Sequence, residues 1–110
     1  MSRQISSDLL RGNVDSIVLS TLLKNPRYGF EIFNTIKEKT DNQFELKEAT
    51  LYSSYKRLEL QKDIESYWGD ETKGARRKYY RITKQGRKTY KDSLANWEDT
   101  KKIIDRLIAE

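Results

Sequence analysis

A chain of 110 residues, 35% charged and 35% hydrophobic, is one domain's worth and can bury one modest core. It has no cysteine and no histidine, which excludes disulfides and thiolate metal sites and removes the commonest general base and the commonest metal ligand. The net charge of +5 is concentrated: residues 72–91 hold nine of the 22 basic residues and none of the 17 acidic ones, leaving the rest of the chain net negative, and such a localised basic segment suits a polyanion.

The hydrophobic spacing predicts a first helix over 8–24, where Leu9, Leu10, Val14, Ile17, Val18, Leu22 and Leu23 recur every three or four residues. Asn25-Pro26 ends it, because the residue before a proline avoids helical geometry. A second helix over 28–39 carries Phe30, Ile32, Phe33 and Ile36 as its apolar stripe, and Asp41-Asn42 breaks it. A third, over 47–61, turns Leu51, Tyr55 and Leu58 inward. The period then changes to that of strands over 63–68 and 76–82, with Gly69 and Gly74 in a long polar connection. Thr83 can cap a fourth helix that continues to about 109, with Gly86 an early weak point and Tyr90, Leu94, Trp97, Ile103, Ile104, Leu107 and Ile108 as its apolar positions.

Three helices followed by a hairpin give the order of a winged helix-turn-helix, in which the third helix enters the major groove and the wing lies along the backbone or in the adjacent minor groove. The expected fold is mainly α with a small β-hairpin: a winged DNA-binding domain over 1–83 and one long dimerisation helix over 84–110. At ~1.5 Å per residue that helix would span nearly ~40 Å, more than so small a body can cover. Its apolar stripe therefore calls for a second copy of the chain.

On the third helix, Lys47, Thr50, Tyr52, Ser53, Ser54, Lys56 and Arg57 are read as exposed, a set of hydroxyls and cations suited to phosphates and base edges. Alone, the pattern also describes an ordinary amphipathic helix. In the wing, Lys73, Arg76, Arg77 and Lys78 are the phosphate-contact candidates beside Tyr79 and Tyr80, of which one must pack inward because strand neighbours face opposite ways. No glycine-rich phosphate loop appears, and no enzyme, cofactor or metal is expected. The polar stretch from Met1 to Asp8 lacks the apolar region of a signal peptide, and no apolar run approaches the ~20 residues of a membrane helix, so a cytoplasmic protein is expected.

Several stretches resemble a known family. Tyr28-Gly29-Phe30-Glu31-Ile32 is similar to the YGYEI signature of the PadR-like transcriptional regulators. Thr50-Leu51-Tyr52 followed by Lys56-Arg57-Leu58-Glu59 is similar to their third-helix motif, and the run from Gly74 to Thr83 to their wing motif. Leu10-Arg11-Gly12 matches their opening LRG. The resemblance implies a homodimeric regulator, in most members a repressor, often of stress, detoxification or efflux genes, acting on a double-stranded DNA operator. The single C-terminal helix resembles the short subgroup. Tyr67-Trp68-Gly69-Asp70-Glu71 is similar to its multidrug-sensing members, in which a tryptophan at the position of Trp97 lines a cavity at the dimer centre and two such rings can sandwich a planar aromatic drug. By that resemblance the ligand-site candidates are Trp97, Lys101 one turn on, and Asp15 as an acid that offsets the lysine, with Asp105 as a further acid. Ser53 departs from the proline that many members carry. A winged-helix protein-interaction module and a ligand-independent regulator stay open as alternatives.

Overall fold

The computed structural model describes residues 11–43, 46–70 and 76–109. A 3-10 turn, Arg11–Asn13, leads into α1 (Val14–Thr21); the expected start of that helix near residue 8 lies outside the described residues. There follow β1 (Arg27–Tyr28), α2 (Gly29–Lys39), α3 (Glu48–Leu60), β2 (Ile64–Trp68), β3 (Lys78–Ile82) and the 25-residue α4 (Lys84–Ile108). The architecture is the expected winged helix-turn-helix with a long terminal helix, with one addition. The hairpin is part of a three-stranded antiparallel sheet of order β1-β3-β2, in which Arg27 pairs with Tyr80 and Tyr28 with Tyr79. Two residues are too short a strand to leave a periodic signal, and the pairing is made across some fifty residues of intervening chain.

Local chemistry explains most boundaries. Glu31 reaches back to accept a hydrogen bond from the Tyr28 amide at 3.1 Å, which caps α2 and accounts for the spacing of its YGFE motif. Asp41 and Asn42 sit in the left-handed region (φ 52° and 63°), a conformation Asn and Asp tolerate best among residues with a Cβ, and they end the helix. The Thr83 hydroxyl accepts from the Gly86 amide at 2.9 Å and so caps α4 as anticipated.

One core forms where α1, α2, α3 and the inner face of the sheet meet, built on Val18, Leu19, Ile32, Leu51, Tyr55, Leu58, Ile64 and Tyr80. The first turns of α4 join it. Tyr90 packs against the cluster and Gly86 is buried. Gly86 is not a weak point but a contact point: a Cβ there would overlap the Asp63 carbonyl oxygen and lie 2.8 Å from Ile82 Cγ1. The buried Asp63 carboxylate clamps the same joint, accepting from Thr89 Oγ1 at 2.9 Å and Gln85 Nε2 at 3.0 Å. Beyond it α4 leaves the body, and Leu94, Trp97, Ile103, Ile104, Leu107 and Ile108 are all exposed.

Candidate nucleic-acid interface

α3 turns Leu51, Ser54, Tyr55 and Leu58 into the core and leaves Lys47, Thr50, Tyr52, Ser53, Lys56 and Arg57 on the surface. Ser54 departs from the expected exposure. It is fully buried, and its hydroxyl donates to Asp15 Oδ1 at 2.7 Å, because three residues past Leu51 the helix has turned it back toward α1. Arg57 stays on the surface but is held from the same side, with its Nε 2.8 Å from Asp15 Oδ2 and a terminal nitrogen 2.6 Å from Oδ1.

This two-pronged pair ties α1 to α3. Burial pushes the Asp15 carboxyl up, but the hydrogen bonds from Arg57 and Ser54 and the Arg57 charge outweigh it and hold the group below its ordinary value. The pair is part-exposed, so solvent screening limits its worth to about 1 kcal/mol. Asp15→Asn is expected to lower the urea-unfolding stability by that amount at neutral pH. A group whose folded pKa is depressed stabilises the fold fully above its ordinary pKa of 3.8, and the contribution is lost as pH falls below that. The wild type's advantage should therefore fade in acid; equal stabilities at pH 7 would refute the clamp.

Between α3 and the sheet lies a groove of about 380 Å³ lined by Tyr52, Ser53, Tyr55, Lys56, Glu59, Lys78 and Tyr80. Tyr55 and Tyr80 pack ring to ring at 4.7 Å in its floor. Burial first, and then neighbouring charges, push the Tyr80 phenol up to about 12 and Tyr55 higher still, so both remain protonated at neutral pH. Tyr55 uses its proton to donate to the Gly29 carbonyl at 3.1 Å, fixing the angle between α2 and α3. Lys56 and Lys78 supply the groove's cations, and Lys78 is drawn only loosely toward Glu59 at 3.7 Å.

The opposite sheet face carries a ladder of rings and guanidiniums. Tyr79 stacks on Tyr67 at 5.6 Å and meets Tyr28 edge-on at 5.5 Å, while Arg77 lies 4.6 Å over Tyr28 and Arg81 5.0 Å over Tyr67. Tyr80 is thus the inward-packing tyrosine of the pair. Arg81 is further engaged by Glu65 at 2.7 Å. At the outer end of the strands Arg76, Arg77 and Lys78 are all exposed; Lys73 lies outside the described residues.

A second concavity, of about 230 Å³, lies where α1 meets α4, lined by Asn13, Ser16, Ile17, Ser20, Tyr90, Ser93, Leu94 and Trp97. Trp97 is in it, but Asp15 is not: its carboxylate is spent on α3. Lys101 lies 5.9 Å over the Trp97 ring, and Glu98 pairs with it at 3.1 Å.

Residues 18–92 match the model of the transcriptional regulator PadR-like family. The chain belongs to that family. This PadR-like chain is 50% identical to a transcriptional regulator of Clostridium thermocellum, whose solved structure superposes with a TM-score of 0.87 over 94% of this chain and 98% of that one. A PadR family transcription regulator of Clostridium difficile is 33% identical, with a TM-score of 0.76 over 87% and 98% of the two chains. An uncharacterized protein of Lysinibacillus sphaericus is 46% identical over 101 residues, 92% of this chain and 93% of its own. The PadR-like chain is accordingly a DNA-binding transcriptional regulator and not an enzyme. No helix among its described residues is long and apolar enough to cross a membrane.

Two surface aromatics of this PadR-like fold escaped the sequence reading. Phe30, assigned there to the inner stripe of its helix, is 56% exposed and stacks on Phe33 beside the start of α3. Trp68, 57% exposed, ends β2. Alternation along Ile64, Ser66 and Trp68 could have placed it on the face shared with Lys78, but nothing in the sequence says where the core beneath that face stops.

Proposed function

We propose that this chain is a homodimeric, sequence-specific repressor whose hold on its operator is loosened by planar aromatic compounds bound at Trp97. The observation that carries the reading is one molecule with two unfilled faces: a basic, hydroxyl-bearing surface on α3 and the wing, and an exposed apolar stripe along α4. Lys47, Thr50, Tyr52, Ser53 and Lys56 would meet base edges and phosphates in the major groove. Arg57, already turned by Asp15, would keep α3 at its docking angle. Arg76, Arg77 and Lys78 would hold the flanking backbone. Repression, and control of detoxification or efflux genes, come from the family resemblance.

The winged body (1–83) and the pairing helix (84–110) divide this labour, and the cleft lies between them. Two copies joined along α4 would bring two Trp97 rings to one interface, walls that suit a flat apolar ligand. Its other wall is α1, which supplies Ser16, Ile17 and Ser20 to the cleft, with Asn13 from the preceding turn, and, through Asp15, holds Arg57 and Ser54 on α3. A ligand that displaced α1 would thereby shift α3, since the Asp15 contacts join the two helices directly.

Footprinting of the region upstream of the chain's own gene tests this reading. A protected site is expected, weakened by planar aromatic dyes in the wild type and not in Trp97→Ala. Protection that ignores every dye would leave a ligand-independent regulator, and no protection on any duplex would leave an interaction module.

A further inference from the structure

We propose that Trp68 is a nonionic DNA anchor of the wing, packing its indole against the sugar wall of the minor groove with Arg76 poised above it. The inference rests on the DNA-binding reading and adds to it a contact that is not electrostatic.

The sheet register carries the argument. Ile64 pairs with Ile82, Ser66 with Tyr80, and Trp68 with Lys78, so Ile64, Ser66 and Trp68 lie on one face with Lys78, Tyr80 and Ile82. That face begins as core: Ile64 is 2% and Tyr80 4% exposed. It passes the groove beside α3, where Lys78 and Tyr80 are lining residues, and it ends at Trp68, 57% exposed. The largest side chain of the sheet thus stands on the α3 side of the wing, beyond the reach of the core. An aromatic of this size left in water forgoes the burial of much of its ~150–250 Å².

The surroundings decide what would cover it. The Arg76 guanidinium lies 6.0 Å over the indole, and Lys78, the register partner of Trp68, is exposed on the same face, with Glu59 3.7 Å from its ammonium as the nearby acid. An apolar surface rimmed by cations suits an anionic partner with apolar sugar faces. Wings lie along the backbone or in the minor groove next to the one their third helix enters, and apolar wedges with arginines are the usual means of engaging a minor groove. Stacking over Trp68 also pre-orients Arg76, lowering the ordering cost of its phosphate contact.

The test uses the full chain made with fluorotryptophan, which places one fluorine probe on each of its two tryptophans; Trp68→Phe assigns the signals. The probe duplex is one selected by the wild-type protein from a random-sequence pool, with binding followed by anisotropy of a dye on the DNA. As anisotropy rises, the Trp68 fluorine signal should shift and lose most of its sensitivity to exchanging H2O for D2O. Trp68→Ala should weaken binding by roughly tenfold per protomer with the salt slope unchanged, whereas Arg76→Ala should lower the slope by about 1 per protomer. A rising anisotropy with an unmoved, still solvent-sensitive Trp68 signal overturns the proposal while leaving DNA binding intact, whatever the alanine variant does. A random pool from which no duplex is selected overturns the DNA reading itself.

Discussion

Gly86→Ala is expected to destabilise the protein by about 3 kcal/mol, the upper end of the cost of overpacking. The direction is opposite to what helix propensity predicts, since alanine in place of glycine inside a helix ordinarily gains ~1 kcal/mol. The added Cβ would overlap the Asp63 carbonyl oxygen, a backbone atom that cannot rotate away. That oxygen also accepts the Thr83 amide at 3.0 Å, and the Asp63 carboxylate accepts from Gln85 and Thr89. Relief therefore means lifting the first turns of α4 off the α3–β2 corner and straining each of these bonds. In a domain of this size the loss corresponds to a fall in melting temperature of roughly 15 °C. Gly12→Ala is the control: a Cβ there meets nothing within 4 Å, so its melting temperature should stay close to the wild type's. A Gly86→Ala protein as stable as the control would show that α4 is not seated on Asp63.

The second large effect concerns the wing. Replacing Arg76, Arg77 and Lys78 together with alanine is expected to cut affinity for duplex DNA by at least ~100-fold per protomer at moderate salt. It should also flatten the dependence of log K on log salt by about 3 for each protomer bound, because each phosphate contact contributes a slope near −0.9. The exposed placement of all three at the outer strand end motivates this. Arg81→Ala, with its guanidinium held by Glu65 and the Tyr67 ring, should change the slope much less. Titration at several salt concentrations reads both, and equal slopes for the wild type and the triple variant would remove the wing from the interface. Because none of the three side chains is in the core, circular dichroism should report an unchanged fold.

Much of the architecture was legible from periodicity and punctuation. The three- and four-residue spacing of Leu51, Tyr55 and Leu58 marks an inner helix face, Asp41-Asn42 marks a stop and Thr83 marks a cap, whereas α1 ends at Thr21, ahead of the stop expected at Asn25-Pro26. These signals are local: each depends on residues within a turn or two of one another, so the chain carries them without knowledge of its partners in space. The basic run from Lys73 to Lys91 is of the same kind, and it singled out the wing. So are the motifs from Tyr28 to Ile32 and from Thr50 to Glu59, whose spacing has physical causes in the Glu31 cap and the Tyr55–Gly29 hydrogen bond.

What the sequence could not settle turns on residues far apart in the chain. Ser54 and Arg57 looked like neighbours on an open helix face, yet Asp15, some forty residues earlier, claims both, and the same contact takes Asp15 away from Trp97. β1 exists only because β3 offers it an edge. Gly86 reads as a flaw in a helix until the Asp63 carbonyl is seen lying against it. Composition, period and capping determined on their own that this chain forms three helices, a basic wing and a long apolar-striped helix. Only the tertiary structure decided which polar side chains point at solvent and which are consumed in holding α1, α3 and α4 together, because hydrogen bonds and close contacts are spent on whatever the fold brings within about 3 Å, wherever it lies in sequence.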